Sequence, residues 1–534
     1  MADRLPRPLL RGLRGAVAGG HPLAAAAGAR MLAAGGTAVD AAVAAGMALC
    51  VLLPDACGLG GDALALLHTG DGEEVAFNGS GASPAGMPEG PRPAGGGAAT
   101  ARGAAGGNDG AATVPGAAGG NDGAAAVPGA AGGGGGVVTA PGAVAALADL
   151  HARGGRLDWA QVLGPAIDLA GHGMPFTEDL RDAIARNRAR LDSAGSPWPE
   201  LDRDGTPGVP VRQRALAGVL SDIAADGPRA FYDGELAEAV ARAVRRAGGW
   251  LTADDLRDHH TVIAPPVVGE RLGARIAVQP PVSQAVLLLT ALGGIEALGP
   301  LSGADRVHAL VEALEEAFMH RDAIADPRAG AALADRALRI EDRHLPRPHG
   351  PGLGAHTTAV AAADGDGTVV SMLLSVFEEF GSTVFVPAGG FLLNDRADGF
   401  TSGPNRARPG ARPVHTLSPA LAEHGDRVFG LCTPGADGQV QTLAQILVAV
   451  ALDGVPIPAA LDRPRFRTAA GRLAVEGDMD PALVAALRRR GHDVTTLTPG
   501  DLRFGAAACA GVDRRTGTVF AASDPRREAW ATVV

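Results

Sequence analysis

The sequence predicts an α+β protein in which helices cover antiparallel sheet, and three features point that way. The first part of the chain is rich in helical periodicity, and the second is rich in strand-like segments. A Pro/Gly stretch, LPRPHGPGLG over 345–354, separates them and reads as an exposed linker. At 534 residues the chain is long enough for two or three domains, although enzymes of this length also form one unit.

Taken in order, residues 20–53 read as an alanine-rich helical hairpin. His21-Pro22 opens one helix, Gly35-Gly36-Thr37 breaks it, and Val39 to Leu52 continues with helical character. A glycine-rich turn, Gly58-Leu59-Gly60-Gly61, then leads into a strand at Ala63–His68. From about 93 to 136 the chain is low in complexity: GAAGGNDGAATVP from Gly103 recurs as GAAGGNDGAAAVP from Gly116, a 13-residue tandem repeat. With so few large apolar side chains, this insertion cannot bury enough surface to offset ordering entropy, and a disordered surface segment is expected.

Helical signals dominate from Ala143 to about Leu338. Thr252 to Asp255 reads as a capping box with aspartate in place of glutamate. Leu310, Ala313, Leu314, Ala317 and Phe318 recur at 3/4 spacing and mark one buried helix face. Beyond the linker, strands at Thr358–Ala363 and Val369–Phe377 flank Asp364-Gly365-Asp366-Gly367, a strong hairpin turn. Further strands are expected at Thr383–Pro387, Arg427–Leu431 and Thr518–Ala521, and helices at Gln441–Leu452 and Pro481–Arg490.

Composition excludes several function classes. Hydrophobic residues make up 46% and charged residues 20%, which suits a globular protein. A net charge of −11, without basic runs interleaved with aromatics, argues against nucleic acid as a partner. All 47 basic residues are arginine, so chemistry that needs an ε-amine is excluded: no pyridoxal Schiff base, no P-loop lysine, no kinase-type lysine. Gly58-x-Gly60-x-x-Ala63 follows helices rather than a strand, unlike a dinucleotide loop. His259-His260 and the spaced His308 and His320 lack the i, i+4 geometry of a helical zinc site. No cofactor or metal is therefore expected. Cys50, Cys57, Cys432 and Cys509 form no ligand pattern and read as thiols in a reduced compartment. Neither a secretory h-region nor a membrane-spanning run is apparent, the Ala41–Pro54 run being too short, so a cytoplasmic protein without a membrane partner is expected.

The chemistry centres on Gly354-Ala-His-Thr-Thr-Ala-Val360, where a threonine sits between the linker and a strand. A threonine hydroxyl is a weak nucleophile that needs an adjacent base. If the bond before Thr357 is broken, its freed α-amino group can be that base. With an α-amino pKa near ~7.8, roughly a quarter of the amine is neutral at near-neutral pH.

Many blocks, in order, resemble the γ-glutamyltranspeptidase family. The first part has HPLAAAAGARMLAAGGTAVDAAVAAG from His21, CGLGGDA from Cys57, GGVVTAPGAVAAL, FYDGELAEAVARAVRRAGGWLTADDL and HALVEALEEAFMHRDAIADP. The second has HTTAVAAADGDGTVVSM, FGSTVFVPAGGFLLND, RPVHTLSPAL, CTPGADGQVQ and LDRPRF. The resemblance implies a four-layer αββα N-terminal-nucleophile hydrolase sandwich. It also implies autoproteolysis between His356 and Thr357, giving a helix-rich large fragment (1–356) and a small fragment (357–534) that together make one compact unit. The substrate it implies is a small-molecule amide, with water or an amine as acceptor.

Residue by residue, the resemblance places the nucleophile at Thr357 rather than Thr358. It puts Ser375 where the family has a hydroxyl bonded to the nucleophile; an ordinary polar strand residue is the other reading. Thr433-Pro-Gly-Ala436 matches the family's Ser/Thr-Pro-Gly-Gly turn, so Gly435 and Ala436 are the candidate oxyanion donors, with Ala436 restricting φ where a glycine would not. The acyl pocket departs from the pattern. Ser80 falls near the position of the family's carboxylate-binding arginine, and His415-Thr416 occupies the double-hydroxyl site. Phe377, Arg396 and Gly399 fall at the three amine-binding positions. An arginine there cannot favour an ammonium group but could fork onto a carboxylate; a surface arginine is the alternative. The expectation is the family's acyl chemistry with altered acyl specificity, glutathione being doubtful, against a competing reading as a non-catalytic relative that acts as a binding or pathway protein.

Overall fold

The computed structural model describes residues 7–90, 134–195, 198, 205–325, 327, 330–338, 340, 356–469 and 471–534. Most of the low-complexity insertion and the 345–354 linker lie outside these residues.

Two seven-stranded antiparallel sheets face one another. One runs in the order Leu10–Gly12, Thr518–Ser523, Ala508–Asp513, Arg427–Cys432, Ala420–His424, Ala274–Val278, Val267–Arg271. The other runs Trp530–Val533, Gly15–Gly19, Thr358–Asp364, Val369–Ser375, Asp62–His68, Glu74–Asn78, Val262–Ala264. The strand that follows Thr357 is thus internal, paired on one side with Gly15–Gly19 and on the other with Val369–Ser375. Side chains alternate faces along it, as a pleated strand requires. Ala359, Ala361 and Ala363 point between the sheets, against Ala508, Ala510 and Ala521. Val360 and Ala362 point the other way, into the core under the helices. Alanine fills about half of the buried inter-sheet positions, which keeps that layer thin around the Thr358–Asp364 strand.

Helices close both outer faces, which completes the αββα order expected. Pro22–Ala33, Ala38–Leu52 and the helices from Ala143 to Arg257 pack over the sheet that carries Thr358–Asp364. Val286–Ala297, Gly303–Phe318, Gly438–Ala451 and Pro481–Arg489 pack over the other. Ala38–Leu52 starts at a capping box, with the Thr37 backbone N–H donating to Asp40 Oδ2 (2.7 Å) and the Asp40 N–H to Thr37 Oγ1 (3.3 Å). All fifteen of its residues are buried, which explains a sequence apolar all round. Each Val, Leu or Met it buries is worth ~1.5–3 kcal/mol over exposure. Its neighbour Pro22–Ala33 approaches closely at Gly28, where a Cβ would come within 2.8 Å of the Ala41 carbonyl oxygen. Substituting Gly28 would push the two helices apart.

One region differs from the sequence reading. Between Ala143 and Leu338, where helical signals dominate, a two-residue pair, Met174–Pro175 with Pro210–Val211, intervenes, and so do three strands of the main sheets: Val262–Ala264, Val267–Arg271 and Ala274–Val278. The last two form a hairpin whose two turn residues, Leu272 (φ 56°) and Gly273 (φ 72°), are both left-handed. These strands are only three to five residues long, and the last two carry charged residues, so their periodicity is weak. Both sheets therefore take strands from before and after the linker. The capping box at Thr252 and the buried face of Gly303–Phe318 match expectation. Among the described residues, no helix is long and apolar enough to cross a membrane.

Candidate active site

Thr357 sits at the mouth of its strand, buried, with a backbone φ of 130°. That angle is unusual for any residue with a side chain and more so for a β-branched one. Its Oγ1 lies 3.2 Å from Ser375 Oγ, on the neighbouring strand. Ser375 Oγ also accepts the backbone N–H of Phe377 (3.0 Å). Thr357 and Pro434, the second residue of the Thr433–Ala436 turn, line the same cavity of about 310 Å³.

That turn links the end of strand Arg427–Cys432 to helix Gly438–Ala451. Gly435 (φ 128°) and Ala436 (φ 48°) are both left-handed, so Ala436 holds a conformation that glycine would adopt more readily. The Gly435 carbonyl accepts from the Gly438 N–H (2.8 Å) and the Ala436 carbonyl from the Gln439 N–H (3.0 Å), which fixes both peptide planes. Gln284 Nε2 reaches the Ala436 carbonyl (3.4 Å), and Arg321 Nε bridges Gln284 Oε1 (3.1 Å) and Asp437 Oδ1 (3.5 Å). These contacts of Arg321 brace the turn, and the neighbouring Asp322 Oδ1 accepts from Thr401 Oγ1 (2.9 Å). From the other side Gly505 allows close approach: a Cβ there would meet Thr433 Oγ1 at 2.5 Å and the Pro434 carbonyl oxygen at 2.7 Å.

The other acyl-pocket candidates gather around Asp62, a fully buried carboxylate at the start of its strand. Asp62 Oδ2 receives Arg396 Nε (3.2 Å) and His415 Nε2 (3.1 Å), and Oδ1 receives the Gly81 N–H (3.2 Å). Burial alone would raise the Asp62 pKa, but the His415 hydrogen bond and the Arg396 charge outweigh it and hold the carboxyl below the usual range. His415 Nδ1 accepts the Leu417 N–H (3.1 Å), so its proton sits on Nε2, toward Asp62. Burial, with Arg396 nearby, pushes the His415 pKa down to about 4 and keeps the ring neutral. Arg396 is buried rather than on the surface, and its guanidinium lies over the Phe377 ring at 4.2 Å. Thr357, Ser375, Phe377, Arg396, Asp62 and His415 thus form one chain of contacts.

Ser80 is less directly placed. Its hydroxyl and N–H both go to Asn78 Oδ1 (2.7 and 2.9 Å), one residue before Gly81 meets Asp62. Thr416 is buried and its carbonyl accepts from Ser418 Oγ (2.9 Å). Gly399 ends the turn Arg396–Gly399 and offers no side chain to an amine.

Sequence reasoning missed Asp62, Gln284, Gly505 and Glu379. Glu379 holds the His356 ring, Oε1 to Nδ1 at 3.3 Å, and is itself gripped by Arg186 (2.7 Å) and Asn187 from helix Glu178–Ser193. Burial pushes the His356 pKa down to about 4. Asp55, in the same cavity, is pushed up to about 7 by burial and by Glu379.

Among the described residues, two groups bring three possible metal-ligand atoms together: His308, Glu312 and His492, and His68, Glu74 and Glu423. In the second, Glu74 is already bidentate to Arg275 (2.7 and 2.8 Å). In the first, His308 Nδ1 is 2.8 Å from His492 Nε2, within the core of the other sheet. Neither group includes a residue of the Thr357 cavity.

With this geometry in hand, the likeness to known proteins is extensive. The chain is 33% identical over 534 residues to the oxamate amidohydrolase proenzyme of Klebsiella pneumoniae subsp. pneumoniae, an alignment spanning 95% of this chain and 96% of that one. It is 33% identical over 510 residues to the Acylase ACY 1 proenzyme of Pseudomonas sp. strain SE83, spanning 90% and 88%. The crystal structure of cephalosporin acylase from Bacillus halodurans superposes with a TM-score of 0.82 at 26% identity, covering 100% of this chain and 98% of that one. These neighbours share the N-terminal-nucleophile hydrolase sandwich. A family model described as Gamma-glutamyltranspeptidase matches residues 24–129 and 120–534. The chain belongs to the γ-glutamyltranspeptidase family.

Proposed function

We propose that this protein is a self-cleaving amidase or acyltransferase whose nucleophile is Thr357. The observation that carries the reading is the placement of Thr357: Oγ1 3.2 Å from Ser375 Oγ, φ 130°, in a cavity shared with Pro434. In the uncut chain, a non-glycine residue held at such a φ stores on the order of 1–3 kcal/mol, which cleavage of the preceding peptide bond releases. Attack of Oγ1 on the His356 carbonyl gives an ester at Thr357 and frees its α-amine. Hydrolysis of that ester leaves fragments 1–356 and 357–534. The part-buried ring of His356, neutral and held by Glu379, restrains the residue that carries the scissile carbonyl during this step.

In the mature enzyme the Thr357 α-amine takes the Oγ1 proton as Oγ1 attacks the substrate amide. The N–H groups of Gly435 and Ala436 receive the developing oxyanion; one such donor is commonly worth about 3–4 kcal/mol in the transition state. The leaving amine departs protonated, and water or a second amine resolves the acyl-enzyme. The pocket around Asp62 lacks the acceptors that a γ-glutamyl ammonium group needs. Two similar proenzymes are named for oxamate amide hydrolysis and for acylase activity, which supports an acyl group other than γ-glutamyl.

The test is to trap the acyl-enzyme from a chromogenic amide by acid quench and to map the acyl mass by peptide sequencing. Acylation on the peptide that begins at Thr357, absent in Thr357→Ala, supports the reading. Turnover that persists in Thr357→Ala, or acylation elsewhere, defeats it.

A further inference from the structure

We propose that His308, Glu312 and His492 form a zinc site that clasps helix Gly303–Phe318 to the end of helix Pro481–Arg489. The site lies apart from the Thr357 cavity and does not depend on Thr357 being the nucleophile. One ring nitrogen of each histidine and one Glu312 carboxylate oxygen lie within 4.8 Å of one another. His308 and Glu312 stand four residues apart on Gly303–Phe318, so they share one face of it, a turn apart. His492 follows His308 by 184 residues, which is why no local spacing reveals the set.

The way its helix ends places His492. The His492 N–H donates to the Leu487 carbonyl (3.2 Å) and the Gly491 N–H to the Arg488 carbonyl (3.0 Å), a Schellman ending in which Gly491 takes a φ of 97°. This turn directs His492 back to His308, with His308 Nδ1 2.8 Å from His492 Nε2 and the ring planes 70° apart. Rings tilted in this way do not stack, and their nitrogen edges face one space. Arg490 pairs with Asp305, one turn before His308, and ties the same two helices.

Two imidazole nitrogens and a carboxylate oxygen are the donor set of a three-ligand zinc site whose fourth position water fills. Bonds of about 2.0–2.1 Å to a tetrahedral ion put ligand atoms about 3.3 Å apart, so the two ring nitrogens need separate by only about 0.5 Å. The proton between the rings then leaves to solvent, and both nitrogens turn lone pairs to the ion. All three side chains are buried, Glu312 completely, and there a divalent ion balances a carboxylate more strongly than it does in water. Gly491 and Asp493, on either side of His492, are exposed and give the ion a short path from solvent.

Untagged protein, stripped of metal by chelator and dialysis, is titrated with Co2+ and with Zn2+ near neutral pH. One Co2+ per chain is expected, with the intense visible absorption of four- or five-coordinate Co2+, bleached as Zn2+ displaces it. Affinity should fall as pH drops through the histidine range. Glu312→Gln and His492→Gln keep polar side chains, and each should weaken Zn2+ binding by about 100-fold or more, at least the loss that outer-shell changes can cause. With Zn2+ at ~100 times Kd the wild-type thermal midpoint should rise by about 2 °C, and neither variant should show the rise. Circular dichroism checks that each variant is folded; the wild-type titration decides by itself where one is not. A wild-type protein that gives only the pale spectrum of six-coordinate Co2+, or that binds less than one ion per chain, overturns the proposal. So does an affinity that both substitutions leave unchanged.

Discussion

Replacing Asp62 by asparagine removes one negative charge from a fully buried site and takes from Arg396 the carboxylate that its Nε donates to. In the native protein Asp62 takes hydrogen bonds at 3.1–3.2 Å from Arg396, His415 and Gly81. The asparagine oxygen can accept from only part of this set, and its NH2 group turns donors toward donors. Removing one partner of a buried ion pair costs about 3–5 kcal/mol, because the other charge stays behind without compensation. This is a large share of the ~5–15 kcal/mol that holds a typical domain together. Asp62→Asn should therefore lower the urea midpoint of unfolding by an amount equivalent to about 3 kcal/mol or more. Arg396→Met in the Asp62→Asn background should cost at least about 1 kcal/mol less than the sum of the two single changes. The pH dependence carries a second signature. The Asp62 carboxyl is held below its ordinary pKa, so its contribution to stability is present above the unfolded value of ~3.9 and is lost as pH falls through the folded value. Asp62→Asn should lack that part of the acid limb. A midpoint within about 0.5 kcal/mol of wild type, or strictly additive single changes, would refute the picture of a coupled buried pair.

Gly505→Ala puts a Cβ within 2.5–2.7 Å of Thr433 and Pro434 at a left-handed φ of 75°, so kcat should fall about 100-fold while the far-UV spectrum stays native; steady-state kinetics and circular dichroism check both. Ser375→Ala removes the hydroxyl beside Thr357 Oγ1, and kcat should fall about tenfold with sheet content unchanged, the worth of one hydrogen bond of about 1.4 kcal/mol. The folded pKa of His415 lies at about 4, below the unfolded value of ~6.5, so the unfolded chain binds more protons between these values. Stability should then fall as pH drops from 6.5 toward 4, by on the order of 2 kcal/mol at pH 5 from this group, and His415→Gln should flatten that slope in urea titrations.

Much of the fold could be read from the residues. The Asp364–Gly367 turn between two apolar runs specified the central hairpin, and Thr252 with Asp255 marked a helix start that the structure shows as a capping box. What escaped was strand built from small residues, such as Ala508–Asp513 (ACAGVD), because alanine and glycine carry little β signal even though they suit a thin layer between sheets. In the site, Arg396, His415 and Phe377 were found through the positions they occupy, but the carboxylate that organises them was not. Asp62 sits at the end of a glycine turn, where an aspartate reads as ordinary loop chemistry. Glu379 lies in a Phe-Glu-Glu-Phe run that suggests a solvated edge; only helix Glu178–Ser193, nearly two hundred residues earlier, brings Arg186 and Asn187 to bury it. Such pairings depend on tertiary contacts that no local spacing encodes.

The most direct measurement is the intact mass and N-terminal sequence of the purified wild-type protein beside Thr357→Ala. The account predicts two polypeptides for wild type, the smaller ending at Val534 and beginning Thr-Thr-Ala-Val, and one uncut 53.3 kDa chain for the variant. A wild-type protein that cleaves amides as a single chain, or whose small fragment begins at another residue, would contradict it.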